Sequence, residues 1–211
     1  MRVTEAIKFK SQAGGGEAVE ATFNLPNILT FSRILMVPIF IMLFSNPTVE
    51  RSIAAACVFG LAALTDLLDG YFARRRAQVT NMGRLLDPIA DKILVISGLI
   101  LLVQFQRVAA WIAIAMIVRE IGVTGIRAIA AAEGIIVPAG MLGKYKVVLQ
   151  VVAILLLTLQ EAIFLPFVDF SLWGTAILYL ALLLSILSAG QYLSEVWRKF
   201  LDKGIAEKPR L

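Results

Sequence analysis

From Leu25 to Phe200 the chain is nearly continuous apolar sequence, cut by short polar stretches into a series of segments. Each segment approaches the roughly 20 mostly apolar residues that a helix needs to cross a bilayer. This spacing constrains the fold more than any other feature. It predicts an all-α integral membrane protein with six transmembrane helices, over about 27–45, 51–74, 83–104, 108–130, 142–161 and 172–198. Leu25-Pro26-Asn27 opens the first helix, Asn46-Pro47 closes it, and Leu165-Pro166 parts the last two. Pro38 lies inside the first and is expected to kink it. Composition agrees: 59% of the 211 residues are hydrophobic and 17% are charged, against roughly 25% in an average soluble domain. No repeat at a fixed period is visible, and the layout reads as one domain over 24–200 with a polar extension over 1–23 and a tail over 201–211.

The extension contains Gly14-Gly15-Gly16 and lacks the uninterrupted apolar core of a signal peptide. Val3, Ala6, Ile7 and Phe9, with Arg2, Lys8 and Lys10, would suit a short interfacial amphipathic helix. A disordered tail is the alternative.

There is no histidine, and Cys57 is the single cysteine. A disulfide scaffold, a zinc site built from His and Cys, and a Ser-His-Asp triad are therefore excluded. Catalysis must run on carboxylates, lysine, arginine, hydroxyls or a metal held by oxygen. Nothing calls for a nucleic-acid partner.

Basic residues orient the chain. An even number of crossings puts the N-terminus, the 2–3 and 4–5 loops and the C-terminus on one side. That side holds Arg2, Lys8, Lys10, Arg74, Arg75, Arg76, Arg84, Lys144, Lys146, Arg198, Lys199, Lys203, Lys208 and Arg210. The other side has only Arg51 and Arg107. A multi-pass protein of the cell (inner) membrane with both termini cytoplasmic is expected, and the net charge of +5 marks its cytoplasmic face.

Charges also fall inside the spans: Arg33, Asp66, Asp69, Asp87, Asp91, Lys92, Arg119 and Glu120. Each costs roughly 2.5–3.5 kcal/mol at a helix centre on the insertion scale. They are expected to face an internal cavity and to partner one another, a metal or a ligand. With a rise of ~1.5 Å per residue, and Arg51 and Arg107 taken as the outer surface, Asp66 and Asp91 lie about 22 and about 24 Å deep. Asp69 and Asp87 lie about 27 and about 30 Å deep, and Lys144 and Lys146, counted from Glu161, about 26 and about 22 Å. The polar groups gather toward the cytoplasmic leaflet, which suits one lipid substrate and one soluble substrate.

The central stretch reads Asp66-Leu-Leu-Asp69-Gly70-Tyr-Phe-Ala73-Arg74, then eight residues, then Gly83-Arg-Leu-Leu-Asp87-Pro-Ile-Ala-Asp91. Positions three and four apart share a helix face. Asp66, Asp69, Gly70 and Ala73 make one stripe, and Gly83, Asp87 and Asp91 another. Four carboxylates converging in a low dielectric cannot all stay ionised unaided, because like charges oppose one another's ionisation. Divalent cations with oxygen ligands, Mg²⁺ or Mn²⁺, are the natural remedy, and two of them are plausible for phosphoryl transfer. The small residues leave room for a ligand near the backbone, or merely allow close helix packing.

This pattern, D-x-x-D-G-x-x-A-R, eight residues, G-x-x-x-D-x-x-x-D, resembles the signature of the CDP-alcohol phosphotransferase family at every position from Asp66 to Asp91. The resemblance implies a six-helix membrane enzyme, usually a homodimer, that displaces CMP from a CDP-linked substrate with an alcohol, using two divalent metals. Asn24-Leu-Pro-Asn-Ile-Leu-Thr-Phe-Ser-Arg33, Leu86-Asp87-Pro88-Ile-Ala-Asp91-Lys92, Arg119-Glu120, Arg127 and Gly143-Lys144-Tyr-Lys146 resemble the phosphatidylglycerophosphate synthase branch. Val147 departs from the pattern, where a small hydroxyl residue is expected. The likeness covers about 24–198.

For this chain the resemblance implies CDP-diacylglycerol and sn-glycerol 3-phosphate as substrates. Asp66, Asp69 and Asp87 would hold one metal, with Asp66, Asp87 and Asp91 approaching the second. Gly70, Ala73, Arg74 and Gly83 would line the cytidine site, closed by Asn27, Thr30 and Arg33. Asp91 would be general base, or a metal ligand only. Arg119, Arg127, Lys144 and Lys146 would bind the acceptor phosphate, against the plainer readings of positive-inside placement for the lysines and a structural ion pair for Arg119. Glu120 is adjacent to Arg119 and points about 100° away, so it is expected to pair elsewhere. Trp111, Trp173 and Trp197 read as interfacial anchors. An inositol phosphate or phosphatidylglycerol acceptor is the alternative within the family, and a transporter or channel the alternative outside it.

Overall fold

In a computed structural model the chain is all-helical, with structure described for residues 25–76, 81–138, 140–162 and 169–206. Six helices follow in order: α1 (Leu25–Phe44), α2 (Val49–Arg76), α3 (Asn81–Gln104), α4 (Ala110–Ala132), α5 (Met141–Leu159) and α6 (Phe170–Ala206). Each matches an expected segment. The reading of residues 1–23 and the Leu165-Pro166 break lie outside the described residues. The main departure is α6, which runs eight residues past its expected end at 198. Charge at Asp202 and Lys203 ends an apolar stretch, but it does not end a helix.

Met141–Leu159 and Phe170–Asp202 are long and apolar enough to cross a membrane. Large apolar side chains also stand exposed on the other helices, among them Met42, Ile114, Val118 and Ile129. Such a surface suits hydrocarbon rather than water.

The chain divides into two compact units. One comprises Met1–Pro47 and Ala54–Ser97. Its core is aromatic: Phe40, Phe44 and Phe59 are fully buried. The Phe40 ring stacks on Phe44 at 5.8 Å and tilts against Phe59 at 5.3 Å. Ala55 and Ala62, also fully buried, flank Phe59 by one turn on either side along α2.

The other unit comprises Thr48–Ile53 and Gly98–Leu211. Here α5 and α6 pack along each other, and α4 packs on α6. A side chain at Gly174 has no room, since a Cβ there would stand 2.7 Å from Leu157 Cγ. Asp169 opens α6 by accepting from the Ser171 and Leu172 amides at 2.9 and 3.0 Å, an N-cap. α4 ends in a Schellman turn: Gly134 has φ +73, its amide donates to Ala131 O, and Ile135 donates to Ala130 O. Ile135 then packs with Ala130, Val137, Tyr192 and Val196. The turn after α3 passes through Gln106 at φ 57 and delivers Arg107 to the end of α5. Arg107 donates to the carbonyls of Leu157 and Thr158, both at 2.9 Å, and to Glu161 Oε2. Last-turn carbonyls of a helix have no partner within it. Arg107 supplies one, so it is a buried cap on α5 rather than a solvated residue at a surface.

Candidate active site

The backbone carries the aspartate motif on consecutive helices of one unit. Asp66 and Asp69 sit near the end of α2, and Asp87 and Asp91 in the opening turns of α3. The members of each pair are separated along the axis by about 4.5 Å and about 6 Å respectively. α2 ends at Arg76 and α3 starts at Asn81, so the link between the pairs is short. The side chains of Asp66, Asp69, Gly70, Ala73, Arg74, Gly83, Asp87 and Asp91 lie outside the described residues, as do those of Asn27 and Thr30. Arg33 is described: α1 buries it to 1% exposure within the same unit. The four aspartates of the motif would make a hard, anionic donor set, which fits Mg²⁺ or Mn²⁺.

The second unit contains a partly buried polar cluster on three helices. Arg119 and Glu120 come from α4, Lys146 from α5, and Ser185 and Ser188 from α6. One carboxylate oxygen, Glu120 Oε2, accepts from Arg119 Nη1 at 3.0 Å and from Lys146 Nζ. Arg119 Nε donates to Ser185 O at 2.8 Å, and its Nη2 donates to Ser188 Oγ at 2.5 Å. Ser188 Oγ in turn donates a hydrogen bond to Ser185 O at 3.0 Å. The Lys146 side chain is 4% exposed and that of Arg119 13%. Two cations and one carboxylate meet here among the described residues.

Two of the four basic residues expected at an acceptor site, Arg119 and Lys146, are thus brought together. The expectation that Glu120 pairs elsewhere holds for Lys146 on α5, but Glu120 also pairs with Arg119 beside it. Adjacent helical residues do diverge by about 100°, but long side chains bend back across that angle. The structure places the other two differently. The Arg127 guanidinium lies 5.4 Å from the centroid of the Tyr192 ring, in cation–π contact. Lys144 is exposed in the first turn of α5. Sequence reasoning missed Ser185 and Ser188. Their spacing of three in an otherwise apolar stretch of α6 was the available signal.

Beyond this cluster, Ile126 and Ile129 of α4 and Leu193, Val196, Trp197 and Phe200 of α6 line an apolar groove of about 440 Å³.

An all-helical chain with this aspartate motif and this basic cluster is a membrane-associated transferase in outline, and comparison with known proteins gives the family. The profile described as CDP-alcohol phosphatidyltransferase matches residues 23–187, so the chain belongs to that family. It is 40% identical to the CDP-diacylglycerol–glycerol-3-phosphate 3-phosphatidyltransferase of Bacillus subtilis, over 83% of this chain and 96% of the relative. It is 35% identical to the enzyme of the same name from Escherichia coli K12, over 86% of this chain and 99% of the relative. The crystal structure of apo phosphatidylinositol phosphate synthase from Mycobacterium tuberculosis has the same fold, with a TM-score of 0.60 and 22% identity over 86% of this chain and 93% of that one.

Proposed function

We propose that this chain transfers the phosphatidyl group of CDP-diacylglycerol to the 1-hydroxyl of sn-glycerol 3-phosphate, giving phosphatidylglycerophosphate and CMP. The observation that carries the reading is the Arg119–Glu120–Lys146 cluster. One cation is buried and the other largely withdrawn from solvent in an apolar bundle, a costly placement that supports a functional role. An acceptor with its own phosphate needs such a site, and the relatives named above carry this acceptor in their names.

In the proposed reaction Asp91 takes the proton of the 1-hydroxyl, and the freed oxygen attacks the lipid-side phosphorus. A new P–O bond forms, the bond to the CMP phosphate breaks, and CMP departs with the electron pair. Desolvation and positioning make a carboxylate competent as a base. Asp66, Asp69, Asp87 and Asp91 would hold two divalent cations, which when bound neutralise charge on the diphosphate. Arg74 pairs with phosphate in bidentate fashion. Gly70, Ala73 and Gly83 leave space for the cytidine, and Asn27, Thr30 and Arg33 close its side. Arg119 and Lys146, with Arg127 and Lys144, receive the acceptor phosphate.

All six helices are proposed to span the cell membrane, with 24–200 as the catalytic domain, 1–23 and 201–211 flanking it on the cytoplasmic side, and a homodimer as the working assembly. The experiment is purified protein in mixed micelles with CDP-diacylglycerol, Mg²⁺ or Mn²⁺, and glycerol 3-phosphate, inositol phosphate or phosphatidylglycerol as acceptor. CMP release with glycerol 3-phosphate alone is expected. Product with inositol phosphate and none with glycerol 3-phosphate would reject the acceptor.

A further inference from the structure

Two cations can be gathered in a bundle without being held in register. Here a specific device holds them. Three of the five N–H groups of the Arg119 guanidinium are committed within the protein. Ser185 O and Ser188 Oγ take Nε and Nη2, fixing one edge of the plane against α6. Nη1 goes to Glu120, the next residue on its own helix. The same Glu120 oxygen takes the ammonium of Lys146 from α5. The distance between the two cations is therefore set by a single atom. Each bond is charge-assisted, roughly twice as strong as a neutral one.

We infer that Glu120 and Ser188 are positioning residues for the acceptor phosphate: Glu120 ties Lys146 to Arg119 through one shared oxygen, and Ser188 fixes the plane of the guanidinium. This rests on the proposed acceptor. Neither residue acts on the reacting atoms. The acceptor phosphate lies remote from the hydroxyl that reacts, and its charge does not change during the step. Contacts to it are equally strong in ground and transition states, so disturbing them raises KM and leaves kcat. Without the shared carboxylate, the two cations repel and the flexible lysine moves away.

The test is steady-state kinetics on wild type, Glu120→Gln, Glu120→Asp, Ser188→Ala and Ser188→Thr, each extracted as a monodisperse species. The expected KM for glycerol 3-phosphate rises about tenfold in Glu120→Gln and about threefold in Ser188→Ala. Glu120→Asp and Ser188→Thr, which restore the charge and the hydroxyl, recover part of each loss. kcat and the KM for CDP-diacylglycerol stay within about twofold of wild type. An unchanged or lowered acceptor KM overturns the inference. So does an equal rise for both substrates, which is what a merely structural role gives. If Glu120→Gln does not fold, the Ser188 pair decides alone. Wild type turning over glycerol 3-phosphate while the variants match it rejects the positioning role and leaves the function standing. Wild type inert toward glycerol 3-phosphate rejects the function itself.

Discussion

Arg107 Nη2 and Glu161 Oε2 meet at 2.7 Å across 54 residues of sequence, and the two partners are unequally buried: 2% of the arginine side chain is exposed and 68% of the glutamate. The arginine therefore matters for what else it touches, the end of α5. Arg107→Ala is expected to cost about 2–3 kcal/mol, because the buried Leu157 and Thr158 carbonyls lose a charged donor. Glu161→Gln is expected to cost under about 1 kcal/mol, since an exposed ion pair contributes little. Thermal unfolding of the solubilised protein measures both. Equal losses would mean that the ion pair, not the cap, holds the turn.

Among the described residues two turns use left-handed backbone, one with a glycine and one without. Gly134→Ala, at φ +73, is expected to destabilise by about 1–2 kcal/mol. Gln106→Gly, at φ 57, removes the same penalty and is expected to stabilise by a smaller amount, about 0.5–1 kcal/mol, because glycine also loosens the unfolded chain. Opposite shifts in melting temperature would bear this out.

Close approach of α5 and α6 gives a second stability test. Gly174→Ala forces its Cβ to within 2.7 Å of Leu157 Cγ and is expected to cost about 1–3 kcal/mol. Gly190→Ala, on the same helix with nothing within 4 Å, is expected to be neutral or stabilising by about 1 kcal/mol. A double variant with Leu157→Ala separates this clash from propensity: the two losses combine to less than their sum.

For the aspartate motif, Asp66→Asn, Asp69→Asn, Asp87→Asn and Asp91→Asn are each expected to lower kcat at least about 100-fold. Chelation with EDTA is expected to abolish CMP release, and Mg²⁺ or Mn²⁺ to restore it. Activity surviving both treatments would remove the metals from the reaction. A transporter would release no CMP even as wild type.

Burial ranks the two lysines of α5. Lys146 is 3% exposed and belongs to the Glu120 cluster, whereas Lys144 is exposed. Lys146→Ala is expected to raise the KM for glycerol 3-phosphate about tenfold or more, and Lys144→Ala about twofold. The reverse order would assign the acceptor phosphate to the first turn of α5.

Long apolar stretches and the Leu25-Pro26 and Asn46-Pro47 boundaries made the six helices legible, because such stretches exceed strand length and favour a helix. The helices that carry the aspartate motif were legible because its residues are local, two pairs on adjoining helices. The basic cluster was legible only in part. Arg119 and Lys146 stood out as charges in apolar sequence, but which partner each would take depends on three helices meeting. Glu120 pairs away from its own helix, with Lys146, as the 100° step suggests, but its reach also lets it bond Arg119 beside it. Ser185 and Ser188 left only their spacing of three as a signal: serines in apolar helices usually bond to their own backbone carbonyls, and Ser185 meets the arginine through its backbone carbonyl, which any residue type offers. Arg107 read as a boundary marker because capping is a relation between distant segments.

The shared oxygen of Glu120 also bears on how this chain can vary. A neutral residue at position 120 leaves two like charges facing each other, and a neutral residue at 119 or 146 alone leaves the carboxylate half-matched. Positions 119, 120 and 146 are therefore expected to drift as a set across related sequences, with paired replacements tolerated where single ones are purged. A family member whose acceptor lacks a phosphate would show the trio rewritten together, whereas a switch between two phosphate-bearing acceptors would leave it in place.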